Sequence, residues 1–586
     1  MPQPARWILP GYDPAEPAAL ALAAGITEPA ARVLWQRGYR DGAAVRRYLT
    51  PALSDLHHPA LMAGMTQAVA RLRRAIDGGE KILLYGDYDV DGTTSIVILL
   101  KAIELAGARA SYHVPHRLRD GYGMRAEVIE RAAAEQVSLI VSVDTGIRAA
   151  EVVRRAGELG TDVIVTDHHL PEADLPPAAA VLNPNQPGCG YPNKNLCGAG
   201  VAFKLAQGLL ETLGWPEEKL RRVIESFLKM VAIATVADVV PLTGENRILV
   251  KHGLDGLDAV RNTGLRALLE VAGFARGERP SAEQVAFRIA PRINAAGRMA
   301  EAGDVVRLFL TTDAAEAREL AGQLHTLNQD RQEVEAGTLE AVLAECLREP
   351  VTEEQAGLVF AGDGWHRGVV GIVASRVVER FGRPSFVLSI DREKDEVQGS
   401  GRSIPGFHLL DALESMPELF TRFGGHKQAA GVSLHVDRLE EFRTRFNDYA
   451  RARLVPEDFV RRLEVDAHLD LGELNDRVVA DVLAMAPFGH GNPPPVFVVR
   501  GVEAPDGAVV WKEKHLYAKL RQGGRGLIVK AWNFAERAAE FAPGKRVDVA
   551  LAIEEDRFAA ARGYPGWTVV LKDVRASESG NQTDLP

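Results

Sequence analysis

Residues 81–95, KILLYGDYDVDGTTS, place three carboxylates, Asp87, Asp89 and Asp91, at every second position. An apolar run, Ile82–Leu84, and Gly86 precede them, and a helix-like apolar stretch from Ile96 to Leu105 follows. In extended backbone alternate side chains share a face, so the three carboxylates would point the same way. Like charges that close are costly unless a cation lies between them. A ligand set made only of oxygens suits Mg²⁺ or Mn²⁺. Asp and Gly are also ordinary turn residues, so a metal reading needs further ligands. Asp144 in Ser-Val-Asp-Thr-Gly, the triplet Asp167-His168-His169, and Asp238 in the apolar stretch 221–240 are available. Pooled with the first three, they would serve two adjacent divalent ions, one carboxylate bridging. Such a pair clamps the attacking and leaving oxygens of an in-line phosphoryl displacement. Neither a P-loop nor a Gly-x-Gly-x-x-Gly fingerprint accompanies the first strand, which disfavours nucleotide hydrolysis and redox chemistry.

The elements that would position these groups read as alternating strands and helices from residue 81. Apolar runs at 82–84, 138–143 and 163–165 each end at a carboxylate or imidazole, with helical stretches at 126–135 and 148–159 between. That alternation predicts an α/β domain with a parallel sheet, binding its ligand outside the carboxyl ends of the strands. The segment 111–124, SYHVPHRLRDGYGM, reads as a polar, basic loop carrying Arg117 and Tyr122. Residues 1–75 read as a helical lead-in, with helices at 20–24 and 30–49; 76–311 then form the catalytic domain. Within it, 285–300 sets Arg288, Arg292, Arg298 and Asn294 among small residues, where arginine usually pairs with phosphate or carboxylate. A long helical pattern, 312–347, connects this domain to a smaller α/β unit, 348–454. There QGSGRSIPG (398–406) and FGGHKQAAGVSL (423–434) carry Ser400, Arg402, Ser403 and His426. Glycine in such segments lets backbone N–H groups approach an anion.

Beyond residue 455 the period changes to that of short strands with turns between, an all-β module of barrel size over 455–575. Seven cations (Arg500, Lys512, Lys514, Lys519, Arg521, Arg525, Lys530) stand there against Glu503, Asp506 and Glu513, interleaved with Trp511, Tyr517, Trp532 and Phe534. Basic strands with aromatics on a small barrel are what an OB-fold uses to hold a single strand. The tail, 576–586, reads as disordered.

Composition agrees with a multidomain globular protein: 586 residues, 46% hydrophobic and 25% charged. The net charge of −10 argues weakly against a nucleic-acid partner, but local distribution decides. Cys189, Cys197 and Cys346 fit neither a zinc spacing nor a disulfide framework. No secretory signal or membrane-length apolar run is visible. A cytoplasmic location is expected.

Taken in order, DYDVDGTTS, SVDTGI, VTDHHLP and VADVVPL resemble the four motifs of the DHH phosphoesterase superfamily, and GRSIPG and FGGHKQAAG its companion DHHA1 domain. The DYDVDG variant, HRLRDGYGM, PRINAAGRM and the trailing β module resemble the RecJ family of single-strand-specific 5′→3′ exonucleases, over about residues 50–575. The resemblance implies Mn²⁺ or Mg²⁺ catalysis with two ions and roles in recombination and repair. Single-stranded DNA would be the partner, with a single-strand-binding protein and a DNA helicase as candidate protein partners, and no membrane. Asp87, Asp89 and Asp144 would hold one ion, Asp144 bridging, and Asp91, His168 and Asp238 the other. His169 would face the scissile phosphate, and Asp167 would be a ligand or would orient a histidine. Arg117, Arg298, Ser400, Arg402 and His426 would meet substrate phosphates, and Tyr122 a base. Two alternatives remain: a relative acting on short oligonucleotides or cyclic dinucleotides, and a non-catalytic repair scaffold on the same fold. Some relatives carry a further C-terminal domain, and the chain reads on only a short way past the barrel.

Overall fold

The computed structural model describes residues 5–9, 11–117, 119–121 and 123–577. Tyr122 and residues 578–586 of the expected tail therefore lie outside the described residues. The chain divides into two compact units: residues 53–459 with 489–491, and residues 1–52 with 460–488 and 492–586.

The first unit is built on a five-stranded sheet. Its strands are β1 (Ile82–Tyr85), β2 (Ala110–His113), β3 (Leu139–Val143), β4 (Asp162–Thr166) and β5 (Ala180–Leu182). They lie in the order β2-β1-β3-β4-β5, every pairing parallel. β1 and β3 are buried along their whole length, which is why they read as unbroken apolar runs. The two edge strands escaped sequence reading. β2 lies in the segment expected as loop, because short edge strands with mixed burial give no period.

Helices cover the sheet. α1 (Val90–Leu105) packs against α2 (Gly198–Glu211) and α3 (Glu217–Ala237), with α4 (Gly244–Asp255) beyond. α5 (Ala290–Met299) and the 35-residue α6 (Ala314–Arg348) follow. A second sheet holds β6 (Leu358–Asp363), β7 (Ser385–Asp391), β8 (Glu396–Arg402), β9 (Arg422–Gly425) and β10 (Ala429–Leu434) in the order β9-β10-β8-β7-β6, with α7 (Val370–Phe381) against it. Both Gly-rich segments are thus largely strand. Their N–H groups serve ladder pairings, Gly399↔Leu388 and Gly401↔Phe386 among them. The glycines make room there: a Cβ at Gly401 would stand 2.6 Å from the Phe386 ring, and one at Gly399 2.1 Å from the Val387 carbonyl oxygen. The anion-cradling turn expected at 398–406 is replaced by a strand from which Ser400 and Arg402 project.

In the second unit the strands β11 (Ala467–His468), β12 (Val496–Glu503), β13 (Ala508–Trp511), β14 (His515–Gln522), β15 (Arg525–Ala531), β16 (Arg546–Glu555) and β17 (Trp567–Ala576) form one sheet, β11-β12-β16-β17-β15-β14-β13. Glu503↔Arg521 pairs β12 with β14, partly closing the ring. Helices Ala15–Ala24, Glu28–Gln36 and Gly42–Leu49 belong to this unit. Their Leu20, Val33, Leu34, Val45 and Tyr48 enter the same apolar core as Phe497, Leu516 and Val549. The expected lead-in is therefore divided, with only its last part, from residue 53, in the first unit.

Candidate metal centre

The acids gather at the carboxyl end of the first sheet, by a different local route from the one expected. β1 ends at Tyr85, and the three aspartates do not share an extended face. Asp87 lies in the turn. Asp89 is the N-cap of α1, accepting from the Gly92 N–H at 3.0 Å. Asp91 lies in the first helical turn. An aspartate N-cap starts a helix by taking up an otherwise orphaned N–H, and here it starts α1 six residues before its apolar run. Asp91 turns to the N-terminus of α2, accepting from Gly198 N–H at 2.5 Å and Ala199 N–H at 2.7 Å.

Close approach needs glycine here. A Cβ on Gly198 would stand 2.7 Å from the Asp144 carboxylate, and one on Gly92 2.6 Å from the Asp87 amide nitrogen. Asp144, just past β3, has φ 59°, a conformation costly for a residue with a Cβ. α5 closes the Asp87–Asp89 turn. Asn294 Oδ1 accepts from the Val90 N–H at 3.2 Å, and a Cβ on Gly297 would meet the Tyr88 carbonyl oxygen at 2.4 Å.

Three groups result, each with one ligand atom per residue within 4.8 Å of the others: Asp87, Asp89 and Asp144; Asp91, His168 and Asp238; Asp144, His168 and His169. His168 Nε2 lies 3.2 Å from Asp144, 3.7 Å from Asp91 and 3.7 Å from Asp238, which caps the C-terminus of α3. Burial, reinforced by Asp89, raises the Asp87 carboxyl well above the usual range. Asp144 is raised likewise by burial and then by Asp91, Asp89, Asp87 and Asp238. Burial and the carboxylates of Asp91 and Asp89 push Asp238 up to about 9. Burial lowers His168 and keeps its imidazole neutral, the form that ligates. Among the described residues, the buried Asp87 Oδ1, His168 Nε2 and Asp238 Oδ2 make no hydrogen bond. Crowded, raised carboxylates with unspent lone pairs around a neutral imidazole fit hard divalent cations.

Asp167 belongs to a different role. One oxygen accepts from the Ile147 N–H at 3.0 Å; the other takes His168 N–H, His169 N–H and His169 Nδ1 at 2.7, 3.1 and 2.7 Å. Burial works to raise it, but the hydrogen bond and charge of His169 prevail and hold it below the usual range. The same bond raises His169 against its own burial. Asp167 thus orients His169. Asn183 and Asn185 donate to the carbonyl oxygens of His169 and His168, fixing the loop from behind.

Arginines converge on one side. Burial, then Arg117, Arg331 and Arg402, push Arg298 down to about 10. Arg298 donates to the Gly368 carbonyl at 2.9 Å, and Arg117 lies over the Tyr88 ring at 4.9 Å. Arg402 and Ser400 border the first turn of α7: a Cβ on Gly371 would lie 3.0 Å from Arg402 Nη2 and 3.4 Å from Ser400 Oγ. A cleft of about 1180 Å³ is lined by Arg148, His169, Arg367, Ser400, Arg422 and His426, among others. Sequence reading missed Arg148, Arg367 and Arg422 in this cleft and Arg331 beside Arg298. An isolated arginine in an ordinary helix or strand carries no signal. Arg288 and Arg292, expected with Arg298, are spent elsewhere: Arg288 on the Ala272 and Gly273 carbonyls, Arg292 on His325 and the Arg288 carbonyl.

On the barrel, Trp511, Tyr517 and Trp532 are exposed; the Trp511 and Trp532 rings lie 5.8 Å apart, and His515 lies 5.6 and 5.0 Å from them. Lys512 lies over the Trp511 ring at 4.9 Å. Phe534 differs from expectation. It packs partly buried against the barrel core beneath Arg537.

Residues 81–235 match the DHH family, N-terminal domain, 354–452 the DHHA1 domain and 465–564 the RecJ OB domain. The single-stranded-DNA-specific exonuclease RecJ of Bacillus subtilis is 37% identical over 545 residues, 93% of this chain and 68% of that protein. That of Dickeya dadantii is 42% identical over 484 residues, 80% of this chain and 82% of that protein. The crystal structure of Thermus thermophilus RecJ in complex with Mn²⁺ superposes with a TM-score of 0.82 at 34% identity, covering 99% of this chain and 81% of that one. The chain belongs to the RecJ family.

Proposed function

We propose that this protein is a metal-dependent exodeoxyribonuclease that hydrolyses single-stranded DNA from its 5′ end, in recombination and repair. The observation that carries the reading is the pair of ligand groups, Asp87/Asp89/Asp144 and Asp91/His168/Asp238, set side by side around Asp144 and His168. Asp144 would bridge two ions of the Mn²⁺ or Mg²⁺ class, which when bound activate water and neutralise charge on the transferring phosphoryl group.

The chain's own residues do the rest. Asp167 holds His169 at Nδ1, and His169 lines the cleft, where it stabilises charge gathering on the scissile phosphate. Arg298, Arg117 and Arg402 face the strand's phosphates with bidentate forks. Ser400 and Arg402, beside the first turn of α7, take the terminal phosphate, which carries one more charge than an internal diester. His426 lines the same cleft as His169. The barrel's basic, aromatic face binds single strands.

An enzyme confined to single strands needs a supply of them, so a strand-separating helicase and a single-strand-binding protein are the partners it would work with, in the cytoplasm. Among the described residues no helix is long and apolar enough to cross a membrane. The experiment is Mn²⁺-dependent release of mononucleotides from a long single strand labelled at either end, with a duplex control. Early release of a 5′ label from the single strand alone is expected. Equal attack on duplex, early release of a 3′ label, or cleavage confined to dinucleotides would overturn the reading.

A further inference from the structure

The first turn of α4 carries three consecutive buried polar residues, Glu245, Asn246 and Arg247, exposed by only 3%, 1% and 2%. Two of them, Glu245 and Asn246, gather the segments that support the metal centre. The Asn246 amide nitrogen donates to the Asn195 carbonyl at 2.6 Å and to the Pro241 carbonyl at 3.0 Å. Its oxygen accepts from Asn193 Nδ2 at 2.9 Å. Below it, Glu245 accepts from the Tyr191 hydroxyl at 2.9 Å and the His57 N–H at 3.0 Å, and pairs with Lys204 at 2.9 Å. Lys204, on α2, also donates to the His57 carbonyl at 2.8 Å. Both members of that ion pair have fully buried side chains.

The placement of the two acceptors of Asn246 is what matters. Asn195 stands three residues before Gly198, whose N–H with that of Ala199 holds Asp91. Pro241 stands three residues after Asp238. One planar amide, with two N–H groups at a fixed angle, therefore ties the support of Asp91 to the segment that follows Asp238. Aspartate at this position lacks the donors, and an apolar side chain leaves both carbonyls without this partner.

We propose that Asn246, braced by Glu245 and Lys204, is a positioning residue that sets the separation of Asp91 from Asp238 and so tunes one of the two ion sites. The turn that carries Asp87 and Asp89 is held by other means, the α1 N-cap and Asn294. The inference rests on the two-ion reading above.

The test is Mn²⁺ binding to the full chain without DNA, followed by electron paramagnetic resonance, for wild type, Asn246→Ala and Asp87→Asn. Wild type should show two classes of site. Asn246→Ala should weaken one class by roughly 10- to 100-fold, as loss of an outer support does, and leave the other unchanged. The class it spares should be the one weakened in Asp87→Asn. Excess Mn²⁺ should restore kcat in Asn246→Ala. A merely structural clamp would lower the metal-free melting temperature while both Mn²⁺ affinities stay at wild-type values, and that result overturns the proposal. So does equal weakening of both classes. A single class in wild type would instead remove the two-ion reading. If Asn246→Ala does not fold, Asn246→Ser, which keeps one donor, is judged by the same site-selective criterion.

Discussion

Replacing Trp511 and Trp532 together by alanine should weaken binding of long single strands and leave short ones unaffected. Both side chains are near half exposed, 44% and 45%, so removing them costs the barrel little packing. Stacking on an aromatic side chain contributes ~1–3 kcal/mol per base. Two rings would give about 2–6 kcal/mol, but these are tilted at 51° with centroids 5.8 Å apart. Part of each face is covered by its neighbour, so the lower end applies. About 2 kcal/mol is roughly a thirtyfold rise in Kd. The assay is fluorescence anisotropy with a long single strand and one of a few nucleotides, each across a salt series. Because the double variant removes no charge, the slope of log K against log salt should stay fixed while the whole line drops. Neutralising Lys514, Lys519, Arg521 and Arg525 should do the reverse and flatten the slope by about 0.7 for each phosphate left without its cation. An unchanged long-strand Kd in the double variant would show that the exposed aromatics do not hold the strand.

Further outcomes follow from the centre itself. Asp144→Ala should collapse turnover while strand affinity survives, and near-normal cleavage at saturating Mn²⁺ would refute the bridging role. Gly198→Ala puts a methyl 2.7 Å from the Asp144 carboxylate, so Mn²⁺ affinity measured by calorimetry should fall although no ligand is changed; wild-type affinity would show that the close approach is not needed. Arg402→Ala should erode the preference for a 5′-phosphorylated strand over its 5′-hydroxyl counterpart by about ten- to a hundredfold in kcat/KM, the worth of one charge-assisted hydrogen bond. A constant ratio with both rates falling would assign Arg402 to backbone binding at large.

The acids were legible because each stands next to a feature that physics makes conspicuous. A strand buried on both faces must be apolar, so an aspartate just past its end marks a place where the chain returns to polar chemistry. Asp144 and Asp167 stand out for that reason, and the sheet's order, unreadable from any local pattern, was not needed to find them. Their division of labour was not legible: whether Asp167 ligates or orients depends on which N–H groups surround it, and those come from Ile147 and from its own next two residues. The glycines misled in the opposite way. In 398–406 they signalled a loop, whereas they thin a strand so that Phe386 and the Val387 backbone can lie against it. Composition records that a side chain is missing but not what fills its place. Asn246 shows the limit most sharply. Asparagine in a helix's first turn is common, and nothing in the Gly-Glu-Asn-Arg run separates a solvated one from a clamp. What makes it a clamp is that Asn195 and Pro241, 51 and 5 residues away in the chain, bring their carbonyls to one amide. Side chains that contact substrate can be found from their own chemistry and spacing, while those that hold them in place become visible only once the fold has brought distant carbonyls together.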